Sequence, residues 1–253
     1  MQQFFSTELA PCPYLSGRAE RRLVTSLDRA DADRGHERLM QTGFRRAQRF
    51  AYRPACPGCR ACVPVRIPVA RFSLSRGWRR ILRRNADLVA RERPLLATEE
   101  QFALFSRYLA GRHAAGGMAA MSWADYRAMI DDSPVAGLVV EWRRADGSLI
   151  AVSLTDRCAS GLSGVYKFFD PDEGRRSLGS LIVLWHVERA RELQLPYVYL
   201  GYWIAGSAKM AYKARFQPLE QLTPDGWQAL PDALGLAAAE PAASSTKDEA
   251  SAA

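Results

Sequence analysis

Three cysteines, Cys56, Cys59 and Cys62, stand in the stretch YRPACPGCRACVPVRIPV, and a fourth, Cys12, lies in PCPY. The Cys-x2-Cys-x2-Cys spacing puts three thiolates within reach of one ion. Cys12 can complete a four-sulfur shell, and the nearby prolines and glycine supply the tight turns such a loop needs. Zinc and a four-iron cluster are not separated by spacing, and the same residues serve equally as buried packing or as a CxxC redox pair. A second group is the arginine run of SRGWRRILRRNADL, where Arg76, Arg79, Arg80, Arg83 and Arg84 crowd one short segment. Forked guanidinium groups suit carboxylates and phosphates. No Ser/His/Asp nucleophile arrangement suggests itself, since His36, His113 and His186 lie in unrelated contexts.

A chain of 253 residues, 48% hydrophobic and 25% charged, has the composition of a globular protein that folds without staples. Its five cysteines are an odd number, which favours metal or redox use of a tight cluster over a disulfide framework. Residues 1–92 hold 19 arginines, no lysine and 8 acidic residues, an excess of +11 in a chain whose whole is +8, so the remainder is net −3. A basic front favours a polyanionic partner, because phosphate contacts release counterions. The N-terminal residues lack the basic segment and apolar run of a signal peptide, and no stretch approaches eighteen uninterrupted apolar residues. The expectation is a soluble cytoplasmic protein with no membrane partner.

The elements that must hold these residues follow from periodicity. Strand-like runs flank the cysteine loop, and in 75–88 the residues Trp78, Ile81 and Leu82 share one helical face behind Ser75 as N-cap. A helix opens at Thr98 with glutamates in its first turn, and SWADYRAMIDD follows as another. Three strands with turns at Asp146-Gly147 and Ser160-Gly161 read as an antiparallel meander. A strongly apolar helix over 174–195, the buried strand YVYLGYWI, the short helix SAKMAYKARF and a last strand complete the pattern. The expected fold class is α+β. A small mixed N-terminal domain with the cysteine loop covers 1–93 and a second domain covers 94–236. The Ala/Ser-rich tail 237–253 is expected to be disordered.

The element order of the second domain is similar to the GNAT acyltransferase architecture, in which two central strands splay apart. GRRSLGS resembles its pyrophosphate loop and KMAYKARFQP its closing helix and strand. Acyl-CoA enzymes of that type use two close glycines there, whereas Gly179 alone sits inside this turn. The cradle is incomplete for CoA, and arginines such as Arg175 and Arg176 suit a donor with widely spaced phosphates, such as a tRNA acceptor end. By this likeness the exposed amides around Leu200 and Gly201 stabilise an oxyanion, Asp156 holds or deprotonates an amine, and Tyr202, Lys209 and Tyr212 relay a proton or bind the terminal adenosine.

With CPYLSGR, the cysteine loop, GLSGVYKFFDPD, RRSLGSLIVLWHVERAR and LPYVYLGYWIAGSAKMAYKARFQPLE in view, the chain resembles the leucyl/arginyl-tRNA–protein transferase family, in particular its short bacterial aspartate/glutamate leucyltransferases. The likeness runs in family order over residues 3–228. It implies transfer of leucine from Leu-tRNA to the N-terminal amine of proteins beginning with Asp or Glu, the marking step of N-degron degradation. Arg76, Arg79 and Arg80 then grip the acceptor carboxylate or tRNA phosphates. The chemistry requires no cofactor, while related arginyltransferases carry an iron–sulfur cluster on N-terminal cysteines of different spacing. Transfer of arginine is the alternative within the family. An acyl-CoA N-acetyltransferase and an RNA-binding module are the alternatives outside it.

Overall fold

The computed structural model describes residues 2–28, 30–112, 118 and 120–231; the expected tail at 237–253 lies outside them. The arginine-rich front builds β1 (Phe5–Ser6), a ribbon of β2 (Ala10–Pro11) and β3 (Ala19–Glu20), β4 (Arg22–Ser26), α1 (Ala32–Gln41), β5 (Arg45–Ala47) and β6 (Phe50–Pro54). Four of these strands form a sheet in the order β1-β4-β6-β5. A small core of Leu27, Leu39, Phe44 and Ala51, joined by Val135, holds α1 against it.

Beyond the cysteine loop come β7 (Val63–Pro68), α2 (Arg76–Arg84), β8 (Val89–Arg93), α3 (Glu99–Arg112), α4 (Trp123–Asp131), β9 (Gly137–Arg143), β10 (Leu149–Cys158), β11 (Gly161–Phe169), α5 (Leu178–Glu192), β12 (Tyr197–Trp203), α6 (Ala208–Ala211), β13 (Glu220–Thr223) and β14 (Gly226–Ala229). Their strands make one eight-stranded sheet in the order β14-β13-β7-β12-β11-β10-β9-β8. The expected boundary at residue 93 therefore does not divide the sheets. β7 lies between β12 and β13, because its buried Val65, Arg66 and Ile67 need partners on both sides, and β8 forms the far edge. The change of sheet falls between Pro54 and Val63.

Local chemistry sets the elements. Ser75 caps α2 by accepting from the Trp78 amide at 3.2 Å. Thr98 and Gln101 exchange bonds at the start of α3, and Ser122 with Asp125 makes a capping box on α4. Gly147 takes φ +90° in the β9–β10 turn, a conformation that side chains resist. Leu149 through Asp156 are all buried, so both faces of the sheet are covered there. The core joins Phe105 and Tyr126 of the helical layer to Val152, Leu154 and Phe168 of the strands and Ile182 of α5. Among the described residues no helix is long and apolar enough to cross a membrane.

One irregularity positions the site. β11 and β12 run parallel and pair only at Gly161–Tyr197, Leu162–Val198 and Ser163–Tyr199, although both strands continue. Bulges flank the point of departure, between Leu154 and Thr155 in the β10–β11 register and between Tyr199 and Gly201 in the β12–β7 register. A bulge bends its strand and sharpens its twist. Two bulges on opposite sides of one junction pull the strands apart into a fork.

Candidate active site

Beyond Ser163 and Tyr199 the fork exposes main chain of β11 from Gly164 and of β12 from Leu200. Leu200 is the residue skipped at the bulge, and Gly201 follows it at φ +71°. The gap is spanned from the other sheet. Arg45, on β5, donates through Nη2 to the carbonyls of Gly164 and Val165, both at 3.0 Å. Its guanidinium also lies so close to Gly201 that a Cβ there would meet Nη1 at 2.1 Å and Nε at 2.6 Å. A small cavity between the sheets is lined by Arg45, Phe44, Val65, Ser163, Gly201 and Tyr202.

Further polar groups gather around this cation. Lys213 is buried and donates to the Tyr202 carbonyl at 2.5 Å. Burial, with Arg45 and Lys167 nearby, holds its amine well below the usual lysine range. Lys167 donates to the Gly179 carbonyl at 2.8 Å and sits 5.1 Å over the ring of Tyr212, in the 3-10 turn Tyr212–Arg215 that follows α6, so the opening of α5 and that turn meet at β11. Tyr202 donates to the Gly43 and Tyr52 carbonyls at 2.9 and 3.1 Å, and burial raises its pKa. That hydroxyl joins the sheets, its single hydrogen engaged by main-chain carbonyls and its proton held more tightly by burial, which argues against a proton relay through it. Tyr14 is raised by burial and by the neighbouring Tyr52, and Leu15 lies against Gly206, so the CPYLSGR segment covers the end of β12.

Asp156 departs from its expected role. It is fully buried, takes three bonds of 2.6 to 2.9 Å from Arg46 and lies 3.6 Å from His36. A carboxylate so enclosed and neutralised has no path to an incoming amine; it ties the small sheet to the large one. Arg76, Arg79 and Arg80 are exposed on α2, whose Trp78 stacks on Phe216 at 4.5 Å. Asn85 bonds the Arg176 carbonyl at 3.0 Å and Arg84 the Arg175 carbonyl, which fastens the end of α2 to the loop before α5. Arg175 is exposed beside it and continues the basic surface. Arg176 instead forks onto Asp87 at 2.7 and 3.0 Å and bonds Glu173, an internal brace that leaves little for a ligand. Lys209 is exposed on α6.

The cysteines converge without closing. Burial, then Cys12, Cys56 and Cys59, push the Cys62 thiol up to about 11, so the four lie within electrostatic range. Cys56 already exchanges bonds with the Arg21 main chain at 3.4 and 3.6 Å. Among the described residues no three His, Cys, Asp or Glu side chains are grouped to hold a metal ion. As placed, the four thiols do not form a metal shell.

Sequence reasoning missed Arg45, Lys167 and Lys213. One signal was there: the chain has only four lysines among its 35 basic residues, and two of them are these. Where cations are otherwise written as Arg, a Lys marks an amine able to shed its proton. Nothing local marked Arg45, whose role comes from packing between sheets.

Residues 10–80 match the family model "Arginine-tRNA-protein transferase, N terminus", and residues 100–223 match its C-terminal counterpart. An aspartate/glutamate leucyltransferase of Paramagnetospirillum magneticum is 54% identical over 225 residues, 89% of this chain and 92% of that protein. One of Parvibaculum lavamentivorans is 55% identical over 229 residues, 90% and 95% of the two. Among solved structures, L-PGS from Bacillus licheniformis overlays with a TM-score of 0.49 at 10% identity, over 68% of this chain and 60% of that one.

Proposed function

The chain belongs to the arginine-tRNA-protein transferase family, and from that premise we propose that it moves leucine from Leu-tRNA to the N-terminal amine of proteins beginning with Asp or Glu. It is an aminoacyltransferase. The leucine donor and the acidic acceptors follow the names of relatives that match it over about nine-tenths of its length. The observation that supports the chemistry is the fork between β11 and β12, where main-chain groups and a guanidinium face a shared gap, as the splayed strands of a GNAT-like fold would.

The aminoacyl ester already stores the driving force, so the site has three tasks. It holds amine and carbonyl in attack geometry, worth several kcal/mol by proximity. It receives an amine that has lost its proton; an α-amine of pKa about 8 is mostly charged at neutral pH. It also stabilises the tetrahedral oxyanion. The exposed arginines of α2 with Arg175 give the charged tRNA a basic approach to the α5 side of the fork, and the supply of charged tRNA sets the reaction in the cytoplasm.

The test is one assay with purified protein, charged tRNALeu or tRNAArg, and peptides starting with Asp, Glu, Arg or Ala. Incorporation of leucine into the first two peptides alone is expected. The family description favours arginine as the second reading. Transfer from tRNAArg in place of tRNALeu would overturn the donor and leave the reaction class standing.

A further inference from the structure

The cation in the fork lacks the carboxylate that holds several other enclosed arginines of this protein. The buried Arg46 has Asp156, Arg66 has Glu220, and Arg143 has Glu141 and Glu100. Among the described residues no carboxylate pairs with Arg45; its Nη2 is fixed by two neutral carbonyls instead. Lys167 and Lys213 nearby add to the positive character of the place. Arg45 is half-buried, and a partly enclosed charge without a counter-ion favours an anion that arrives or develops beside it. The Nη2 bonds orient the guanidinium, so that Nη1 and Nε face the β12 side of the fork at Gly201. The positive φ and missing side chain of Gly201 are what permit that approach.

Resting on the transfer reaction above, we propose that Arg45 is a catalytic residue whose guanidinium faces the ester carbonyl oxygen in the fork and takes up the negative charge that develops there. The uncharged acceptor amine forms a bond to the carbonyl carbon while the C=O π pair moves onto oxygen beside Arg45. Collapse of the intermediate breaks the bond to the ribose oxygen, which leaves with that electron pair and takes up the proton lost by the nitrogen. A peptide bond and uncharged tRNA result. The small sheet thereby completes a site whose walls belong to the large one. A preorganised donor of this kind is worth roughly 10²–10³ in rate.

Single-turnover transfer from Leu-tRNA to an Asp-initiated peptide tests this in Arg45→Lys and Arg45→Gln, because its rate reports the step, with a thermal melt of each variant to establish that it is folded. Arg45→Gln, which keeps an N–H donor and loses the charge, should slow the step by roughly 10²–10³ with KM for peptide and tRNA within about threefold. Arg45→Lys should stay within about tenfold of wild type. Equal rates in the two variants, or a loss confined to the peptide KM with relaxed preference for Asp and Glu, would overturn the role. The second result would make Arg45 the acceptor-carboxylate site. If the Gln variant gives no cooperative melt, Gly201→Ala serves in its place, since its methyl displaces the guanidinium without removing it; a wild-type rate there also overturns the role. A wild type that transfers nothing removes the reaction and the Arg45 role together, whereas a transferring wild type with indifferent variants removes only the latter.

Discussion

His186 illustrates how a side chain is set by its surroundings. It lies buried on α5 with Nε2 2.8 Å from the Thr155 hydroxyl, and burial, reinforced by Lys167, lowers its pKa to about 3. His36, enclosed beside Asp156, is lowered too, again mainly by burial. Both are neutral in the folded protein while an unfolded chain protonates its histidines near 6.5. The unfolded state therefore binds more protons below that pH, and the stability these groups contribute is whole above about 6.5 and lost as pH falls towards 3. Thermal melts should show the midpoint dropping between pH 7 and 5, above the range where carboxylates such as Asp87 titrate, and His186→Gln should flatten that slope. A midpoint independent of pH in this window would contradict the assignment.

Among the elements, α2 joins two tasks. Trp78 and Ile81 bury one side against the core, and the arginines occupy what remains. Because Arg79 and Arg80 are exposed, their replacement should leave the fold intact: surface changes away from caps and core sit within about 0.5 kcal/mol. Replacing both with Ala is expected to cut turnover strongly at limiting tRNA, and to flatten the salt dependence of tRNA binding by about two phosphate contacts. Unchanged rates and salt slope would remove α2 from the tRNA surface. The loop before α5 works differently, since Arg176 is spent on Asp87 and Glu173 and holds the backbone while Arg175 faces solvent.

For the molecule as a whole, the two family-model segments are not two independent bodies. β7 comes from the first and is hydrogen-bonded between β12 and β13 of the second, while Asp156 of the second neutralises Arg46 of the first. A fragment covering 94–236 lacks both β7 and β8 and should not fold, leaving unpaired strand edges that aggregate. Co-expression with residues 1–93 should restore a soluble complex. A fragment that gives a cooperative melt alone would show the sheet to be less dependent on β7 than its position implies.

The sequence alone determined α2 and α3 with their caps at Ser75 and Thr98, the later helices and the β9–β10–β11 meander, because those depend on neighbours a few residues away, whereas α1 (Ala32–Gln41) was not read from it. It also carried the family likeness and the basic character of α2. Where Asp156 went, where the sheets divide and what fills the fork were decided by tertiary structure. Asp156 and Arg46 are 110 residues apart in the chain, and Arg45 reaches Gly164 across 119. No local pattern records such pairings, since a buried charge is defined by the partner that folding brings to it and a fork by the register of strands far apart in sequence.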